Sequence, residues 1–294
     1  MQAFPESELI LSPQGQVYHL HLRPEEIADT IITVGDPDRV AQVSRFFDEI
    51  TFQTAKREFI THTGRVGKKQ LTVISTGIGP DNIDIVLNEL DALANINFAT
   101  RLPHPIAKSL KIIRLGTSGG LQAAIPTGSL VLSAFGMGLD NLMSFYQHLE
   151  TPETKQLAED WEKAEHIKAG IPVQPYFSQA SSPLLDQLSA GLFTGITLTC
   201  PGFYGPQGRQ LRANGRLAGN SLDALSQFTS QGQHVTNFEM ETSAIYGLAQ
   251  LLGHQALSCN VIIANRINQT FSAAPDKDIL NMIQSMLERI EKII

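Results

Sequence analysis

Thr30-Ile31-Ile32-Thr33-Val34-Gly35-Asp36-Pro37-Asp38-Arg39 reads as a buried strand that hands its C-terminal end straight to a helix. The apolar, β-branched run Thr30–Gly35 suits a strand covered on both faces. Gly35 lets the backbone approach a ligand closely, Asp36 and Pro37 suit a helix start, and Arg39 projects from the first turn. In an open α/β sheet this end of the strands is where ligands bind. A solvated arginine on an ordinary turn is the plainer account of the same residues.

The same alternation extends outward from that stretch. Gln70–Thr76, Lys111–Gly116 and Ala256–Asn265 are further buried-strand runs, and Gly128–Phe135 and Leu192–Cys200 are strand candidates. Between 81 and 98, Ile83, Val86, Leu87, Leu90, Leu93 and Ala94 recur at helical spacing. Thr242–Leu252 and Asp276–Ile294 are the other clear helices, the last with Ile279, Met282, Ile283, Met286, Ile290 and Ile293 on one stripe. The class is α/β. No Pro/Ser linker, charge run or internal repeat divides residues 1–294, so one domain is expected. Leu149–His166 reads as a polar helical insertion and Pro201–Asn220 as a glycine- and arginine-rich loop, both expected at the rim of a cleft.

Composition narrows the function classes. The 294 residues are 42% hydrophobic and 17% charged, which suits a globular chain. No apolar run approaches a membrane span, and the N-terminus carries no secretory pattern. With 22 Lys and Arg against 29 Asp and Glu, the net charge is −7, so nucleic acid is not an expected partner, nor is a membrane. Cys200 and Cys259 form neither a disulfide framework nor a metal spacing. A cytoplasmic location, no metal and no cofactor are the expectations.

Four more segments can carry chemistry. Arg114-Leu115-Gly116-Thr117-Ser118-Gly119-Gly120 reads as a glycine loop at a strand end whose N–H groups can face an anion, with Arg114 adding a forked contact. It has neither a Walker A lysine nor a G-x-G-x-x-G spacing. An arginine in a structural ion pair is the alternative. Lys56-Arg57-Glu58-Phe59 leads into an extended run, by default surface charge; with Arg39 and Arg114, Arg57 makes three arginines that can surround one phosphate dianion.

Asn237-Phe238-Glu239-Met240-Glu241 reads as opening the helix through Leu252. Glu239 and Glu241 there complement the helix dipole, or hold a vicinal diol, beside the polarizable Met240. Phe203-Tyr204-Gly205-Pro206-Gln207-Gly208-Arg209 offers a stacking face, an amide and a guanidinium fork, which match a planar heterocycle with carbonyl and imide edges. An exposed glycine turn is the bland account. No Ser/His/Asp order or metal-binding cluster stands out.

In order along the chain, Tyr18-His19-Leu20, GDPDRV (35–40), REF (57–59), STGIG (75–79), RLGTSGG (114–120), FYGPQGR (203–209), NFEMET (237–242) and ANR (264–266) resemble the nucleoside phosphorylase family. The likeness is greatest to its uridine phosphorylases, through FY-x-x-QGR and the long connection Asn97–Leu110. The resemblance implies a three-layer α/β/α sandwich around a mixed, partly barrel-like sheet. It implies that Gly35, Arg39, Arg114 and Thr117 bind phosphate, with Arg57 reaching in from a neighbouring subunit. His19 would also cross that interface, towards the ribose 5′-hydroxyl. Glu239, Met240 and Glu241 would hold the ribose. Phe203, Gln207 and Arg209 would hold the base, with Ser118 and Gly119 at the base–sugar junction and Ile263 and Arg266 near the base pocket.

Reversible phosphorolysis of uridine, in pyrimidine salvage, is the implied reaction, with nucleoside and inorganic phosphate as substrates and phosphate as co-substrate rather than cofactor. A homo-oligomer with shared sites follows, a dimer at minimum, with a hexamer left open. Purine phosphorylases of this fold carry an aspartate near the base-binding turn, and Leu198–Phe203 contains no acid. A relative with another base or sugar preference (thymidine, deoxyuridine or purine nucleosides) and a non-catalytic nucleoside-binding protein are the alternatives. Glu58 stands at the position where bacterial relatives bind an interface potassium ion, but Asn82 replaces the serine expected there.

Overall fold

A computed structural model describes residues 2–147, 149–217 and 219–293. Among the described residues, ten strands longer than two residues form the sheet. They are β1 (Thr30–Val34), β2 (Glu49–Lys56), β3 (Phe59–Val66), β4 (Lys69–Ser75), β5 (Lys111–Gly120), β6 (Leu130–Gly138), β7 (Tyr176–Gln179), β8 (Phe193–Thr199), β9 (Gln233–Glu239) and β10 (Gln255–Asn265). The helices are α1 (Pro37–Ser44), α2 (Pro80–Asn95), α3 (Pro152–Lys163), α4 (Glu165–Lys168), α5 (Ser182–Leu188), α6 (Gly219–Ser226), α7 (Thr242–Leu252) and α8 (Pro275–Ile293).

The strand order is β9-β8-β6-β10-β5-β1-β4-β3-β2, and β9 also pairs with β5. That extra pairing closes β5, β9, β8, β6 and β10 into a five-stranded barrel, with the rest of the sheet extending from β5. The pairing is mixed: β1 lies parallel to β4 and β5, while β9 meets β5 antiparallel at Asn237–Gly120 and Phe238–Gly119. The expected partly barrel-like sheet of a three-layer sandwich is therefore present. α2 and α7 cover it on one side, and α1, α5 and α8 form the other group.

The elements follow from their side chains. All five residues of β1 are buried, as a strand covered on both faces requires. α1 begins as the sequence indicates, with the Asp36 side chain accepting from the Asp38 N–H and Pro37 at the first helical position. α2 buries Ile83, Val86, Leu87, Leu90 and Leu93. α8 buries Met282, Ile283, Met286 and Ile290. The side chain of Ile293 and all of Ile294 lie outside the described residues.

Two elements differ from expectation. Gly116–Gly120 is not a loop: β5 runs through Gly120, because β10 continues its parallel pairing with it through Asn265. Asn237, Phe238 and Glu239 do not open a helix but end β9, and Glu241 is the N-cap of α7. Closure of the barrel against Gly119 and Gly120 holds that segment extended.

The insertion 149–166 forms α3 and enters α4, as its helical pattern indicates. Leu157 and Trp161 from α3 anchor a second apolar cluster, where Trp161 meets the Phe228 ring edge-on at 5.5 Å. The segment thus builds core on the sheet's flank. No helix among the described residues is long and apolar enough to cross a membrane.

Candidate active site

The C-terminal ends of β1, β5, β9 and β10 open onto one cavity of about 680 Å³. Gly35, Arg39, Arg114, Thr117, Ser118, Gly119, Phe203, Gln207, Arg209, Glu239, Met240, Glu241 and Ile263 all line it. Segments more than 200 residues apart in sequence therefore meet, as the parallel β1–β5–β10 core dictates.

Arg114 sits at the floor, 5% exposed. Its Nη1 donates to Asn260 Oδ1 at 2.6 Å, and its Nη2 to Glu241 Oε2 at 2.5 Å, with Glu239 Oε2 at 3.2 Å. Burial alone would lower its pKa, but the two facing carboxylates raise it above the ordinary arginine value. Gly116 makes this pose possible, since a Cβ there would overlap the guanidinium. Arg39 approaches from α1, its Nη1 donating to the Leu115 carbonyl at 3.3 Å. Burial first, then Arg114, hold its pKa below normal. Two buried guanidiniums thus face one cavity, an arrangement whose forked donors can hold an anion.

Glu239 caps α7: its carboxylate accepts from the Glu241 and Thr242 N–H groups and from Thr199 Oγ1. Burial raises its pKa, while Arg114 opposes the shift. Glu241 accepts from the Gly79 N–H on one oxygen and Arg114 on the other, which leaves a lone pair on each. Of the two acids, Glu241 is the one free to hold a diol.

At another part of the cavity, Arg209 stacks on Phe203 at 3.8 Å and stands 5.5 Å from the Phe238 ring centre. It donates to the Phe203 carbonyl at 2.8 Å and to Gln207 Oε1. Because Gln207 Oε1 accepts, its amide N–H groups remain donors, and the segment presents two neighbouring hydrogen-bonding groups. Burial, then the charge of Arg266, lowers the Arg209 pKa. Gly119 admits the Phe238 ring, whose nearest atom would lie 2.7 Å from an added Cβ.

Three residues named from the sequence lie outside this lining. Arg266 is held by its N–H donating to the Gly120 carbonyl, close enough to Arg209 to affect it. Arg57 occupies the turn between β2 and β3 with φ 53°, a left-handed backbone that is costly for a side chain with a Cβ. Its guanidinium lies 5.9 Å from the Tyr18 ring, and Tyr18 packs edge-on against His19. His19 Nδ1 lies 2.7 Å from Glu89 Oε1.

Conversely, Phe238, Phe271 and Ile78 line the cavity although the sequence assigns them no role, and so do Glu58 and Asn82, the two positions set against the relatives' interface potassium site. Phe238 stands inside the NFEMET run, where its aromatic ring is the available signal; Phe271 stands in no motif. Asn82 Nδ2 and Glu58 crowd Gly77, whose φ of 71° needs glycine. No group of three or more His, Cys, Asp or Glu among the described residues is placed to hold a metal ion.

Comparison with known proteins is consistent along the whole chain. The uridine phosphorylase of Thermococcus kodakarensis is 28% identical over 281 residues, covering 95% of this chain and 88% of that one. A DeoD-type purine nucleoside phosphorylase of Listeria monocytogenes is 24% identical over 241 residues, covering 82% and 83%. Among solved structures, a Trypanosoma brucei nucleoside phosphorylase, described as showing uridine phosphorylase activity, superposes with a TM-score of 0.88 at 29% identity, covering 97% of this chain and all of that one. The profile of the phosphorylase superfamily matches residues 29–294, from just before the strand that delivers Arg39 through the last helix, and the chain belongs to that superfamily.

Proposed function

We propose that this chain catalyses the reversible phosphorolysis of uridine to uracil and ribose 1-phosphate. The observation that carries the base assignment is the base end of the cavity, where Gln207 and Arg209 present donors beside Phe203 and Phe238. The similarity to the uridine phosphorylase of Thermococcus kodakarensis and to the Trypanosoma brucei nucleoside phosphorylase with that activity supports it. The run Leu198–Phe203 offers no carboxyl to protonate a purine, which favours a pyrimidine that leaves as an anion.

In the reaction a phosphate oxygen attacks the anomeric carbon as the glycosidic C–N bond breaks. The bonding pair leaves with the base and spreads onto its carbonyl oxygens; the base is then protonated through water, balanced by the acid proton that the new phosphate ester releases. Arg39 and Arg114 hold the dianion in line. Glu241 fixes the 2′- and 3′-hydroxyls, with Glu239 and Met240 completing the sugar site. Gln207 and Arg209 meet the charge that develops on the base. Phosphate is the co-substrate, no cofactor or metal takes part, and the setting is cytoplasmic pyrimidine salvage. Ribose 1-phosphate should appear by phosphorus NMR in step with uracil; free ribose instead would replace this reaction with hydrolysis.

The active unit in this proposal is a dimer or a larger assembly of dimers. Arg57, Tyr18 and His19 gather outside their own cavity, which suits donation of Arg57 to a neighbour's phosphate and His19 to its ribose. Arg57→Ala and Arg39→Ala assemblies should each lose about 100-fold in turnover. Mixed dimers should regain one working site, because one of the two cavities then holds both native arginines. No recovery on mixing would refute sharing.

A further inference from the structure

A chain of buried hydrogen bonds runs beneath the cavity from Arg114 to Ser118. Arg114 Nη1 donates to Asn260 Oδ1 at 2.6 Å, and Asn260 Nδ2 reaches Ser133 Oγ at 3.4 Å and Ser258 Oγ at 3.2 Å. Ser133 Oγ lies 2.6 Å from Thr197 Oγ1, which lies 2.8 Å from Asn237 Oδ1. Asn237 Nδ2 then donates to Ser118 Oγ at 2.9 Å. Asn260, Ser133, Thr197 and Asn237 are all completely buried.

The direction of this chain is set from its two ends, by Arg114 at one and by the Thr197 and Asn237 bonds at the other. A guanidinium has five donors and no acceptor, so the Asn260 oxygen must face Arg114 and its NH₂ must face away. Ser133 Oγ accepts from Asn260, and because Thr197 Oγ1 donates to Asn237 Oδ1, the bond between the two hydroxyls takes the Ser133 proton. Thr197 passes its proton to Asn237 Oδ1, which also accepts from Thr236 Oγ1 at 2.9 Å. The Asn237 amide is thereby oriented, with its NH₂ towards Ser118. Ser118 Oγ accepts that bond, so its own proton must go elsewhere. Among the described residues no acceptor is paired with it, and Ser118 lines the cavity.

We infer that the Ser118 hydroxyl is a catalytic donor aimed at the base carbonyl beside the glycosidic nitrogen, and that Asn260, Ser133, Thr197 and Asn237 are positioning residues that hold it so. This rests on the proposed phosphorolysis of a pyrimidine nucleoside. A donor to the ribose ring oxygen would withdraw electrons from the developing oxocarbenium ion and slow the reaction. A donor to the departing base instead stabilises the charge that grows there. Successive bonds of one polarity strengthen one another in a low-dielectric interior, and the chain begins on a cation. The arginine that binds the nucleophile thus also orders the group that assists the leaving base.

Leaving-group dependence tests this. Ser118→Ala, Thr197→Val and the hydroxyl-retaining Thr197→Ser are compared with the unsubstituted chain on uridine and on 5-fluorouridine, whose base carries negative charge more easily. For uridine, kcat should fall about 100-fold in Ser118→Ala, as for loss of one oxyanion donor, and roughly tenfold in Thr197→Val. Both losses should be several-fold smaller on 5-fluorouridine, the KM for phosphate should hardly move, and Thr197→Ser should keep the parent rate. Equal losses on the two substrates, or a kcat unchanged in Ser118→Ala, would overturn the inference. If the unsubstituted chain releases neither base in response to phosphate, the functional proposal fails, and this inference with it.

Discussion

Arg114→Ala should lower kcat/KM for phosphate by about 1000-fold and destabilise the fold by about 3–5 kcal/mol. Both effects have one origin. The guanidinium at the cavity floor faces the proposed phosphate site and also neutralises Glu239 and Glu241, which are each 4% exposed. Removing it leaves two carboxylates in the interior without their cation, and that uncompensated charge dominates the stability loss. Urea unfolding separates the effects, because Arg114→Met with Glu239→Gln and Glu241→Gln should regain most of the stability and none of the phosphate dependence.

The stability deficit also has a pH sign. Burial already raises the Glu239 pKa and Arg114 opposes that shift, so its loss raises the folded-state value further. A carboxyl with a raised folded pKa favours folding while protonated and loses that benefit as pH rises through the folded value. The deficit of Arg114→Ala should therefore be largest near neutrality and shrink as pH falls towards the carboxylate range. A deficit that grows on acidification, or a phosphate KM unchanged, would contradict the role given to Arg114.

Arg209→Ala should reduce kcat for uridine about 100- to 1000-fold while phosphate binding stays near the parent value. The guanidinium is held by Phe203 beneath it and by the Phe203 carbonyl and Gln207 Oε1 at its edge. It is thus positioned before substrate arrives, in the part of the cavity that the proposed reaction gives to the leaving base. Arg209→Lys should recover little, since a single ammonium reproduces neither the stacking nor the fork. Steady-state kinetics with each substrate varied in turn decides the matter. Equal losses in uridine turnover and phosphate binding would remove Arg209 from the base site.

Apolar strands and amphipathic helices were the legible part of the fold. β1, β10 and α7 are predominantly apolar or β-branched runs whose burial is written in their own side chains. β9 is Gln-His-Val-Thr-Asn-Phe-Glu, a polar run, and its strand character comes from partners distant in sequence. Its Asn237 is buried in the hydrogen-bond chain that links Arg114 to Ser118, which no local pattern reveals. For the same reason Gly116–Gly120 resembles a loop in isolation. Its glycines make room for the Arg114 guanidinium and the Phe238 ring, and both neighbours are set by tertiary packing.

The site divides along similar lines. Residues in compact runs, such as Gln207 and Arg209 or Glu239 and Glu241, were legible because each run carries a recognisable chemistry. Phe271 and Ile78 line the cavity from positions with no chemical signature of their own. Asn260 left a faint signal, an amide in the middle of the apolar run Ser258-Cys259-Asn260-Val261-Ile262. A buried polar group there needs a partner, and Arg114 is that partner.

The most direct measurement is the rate of uracil release from uridine by the purified chain, with and without inorganic phosphate, beside inosine. Release from uridine that requires phosphate, with inosine left intact, is the predicted result. Release that proceeds equally without phosphate, or hypoxanthine formed from inosine as readily as uracil from uridine, would contradict the assignment.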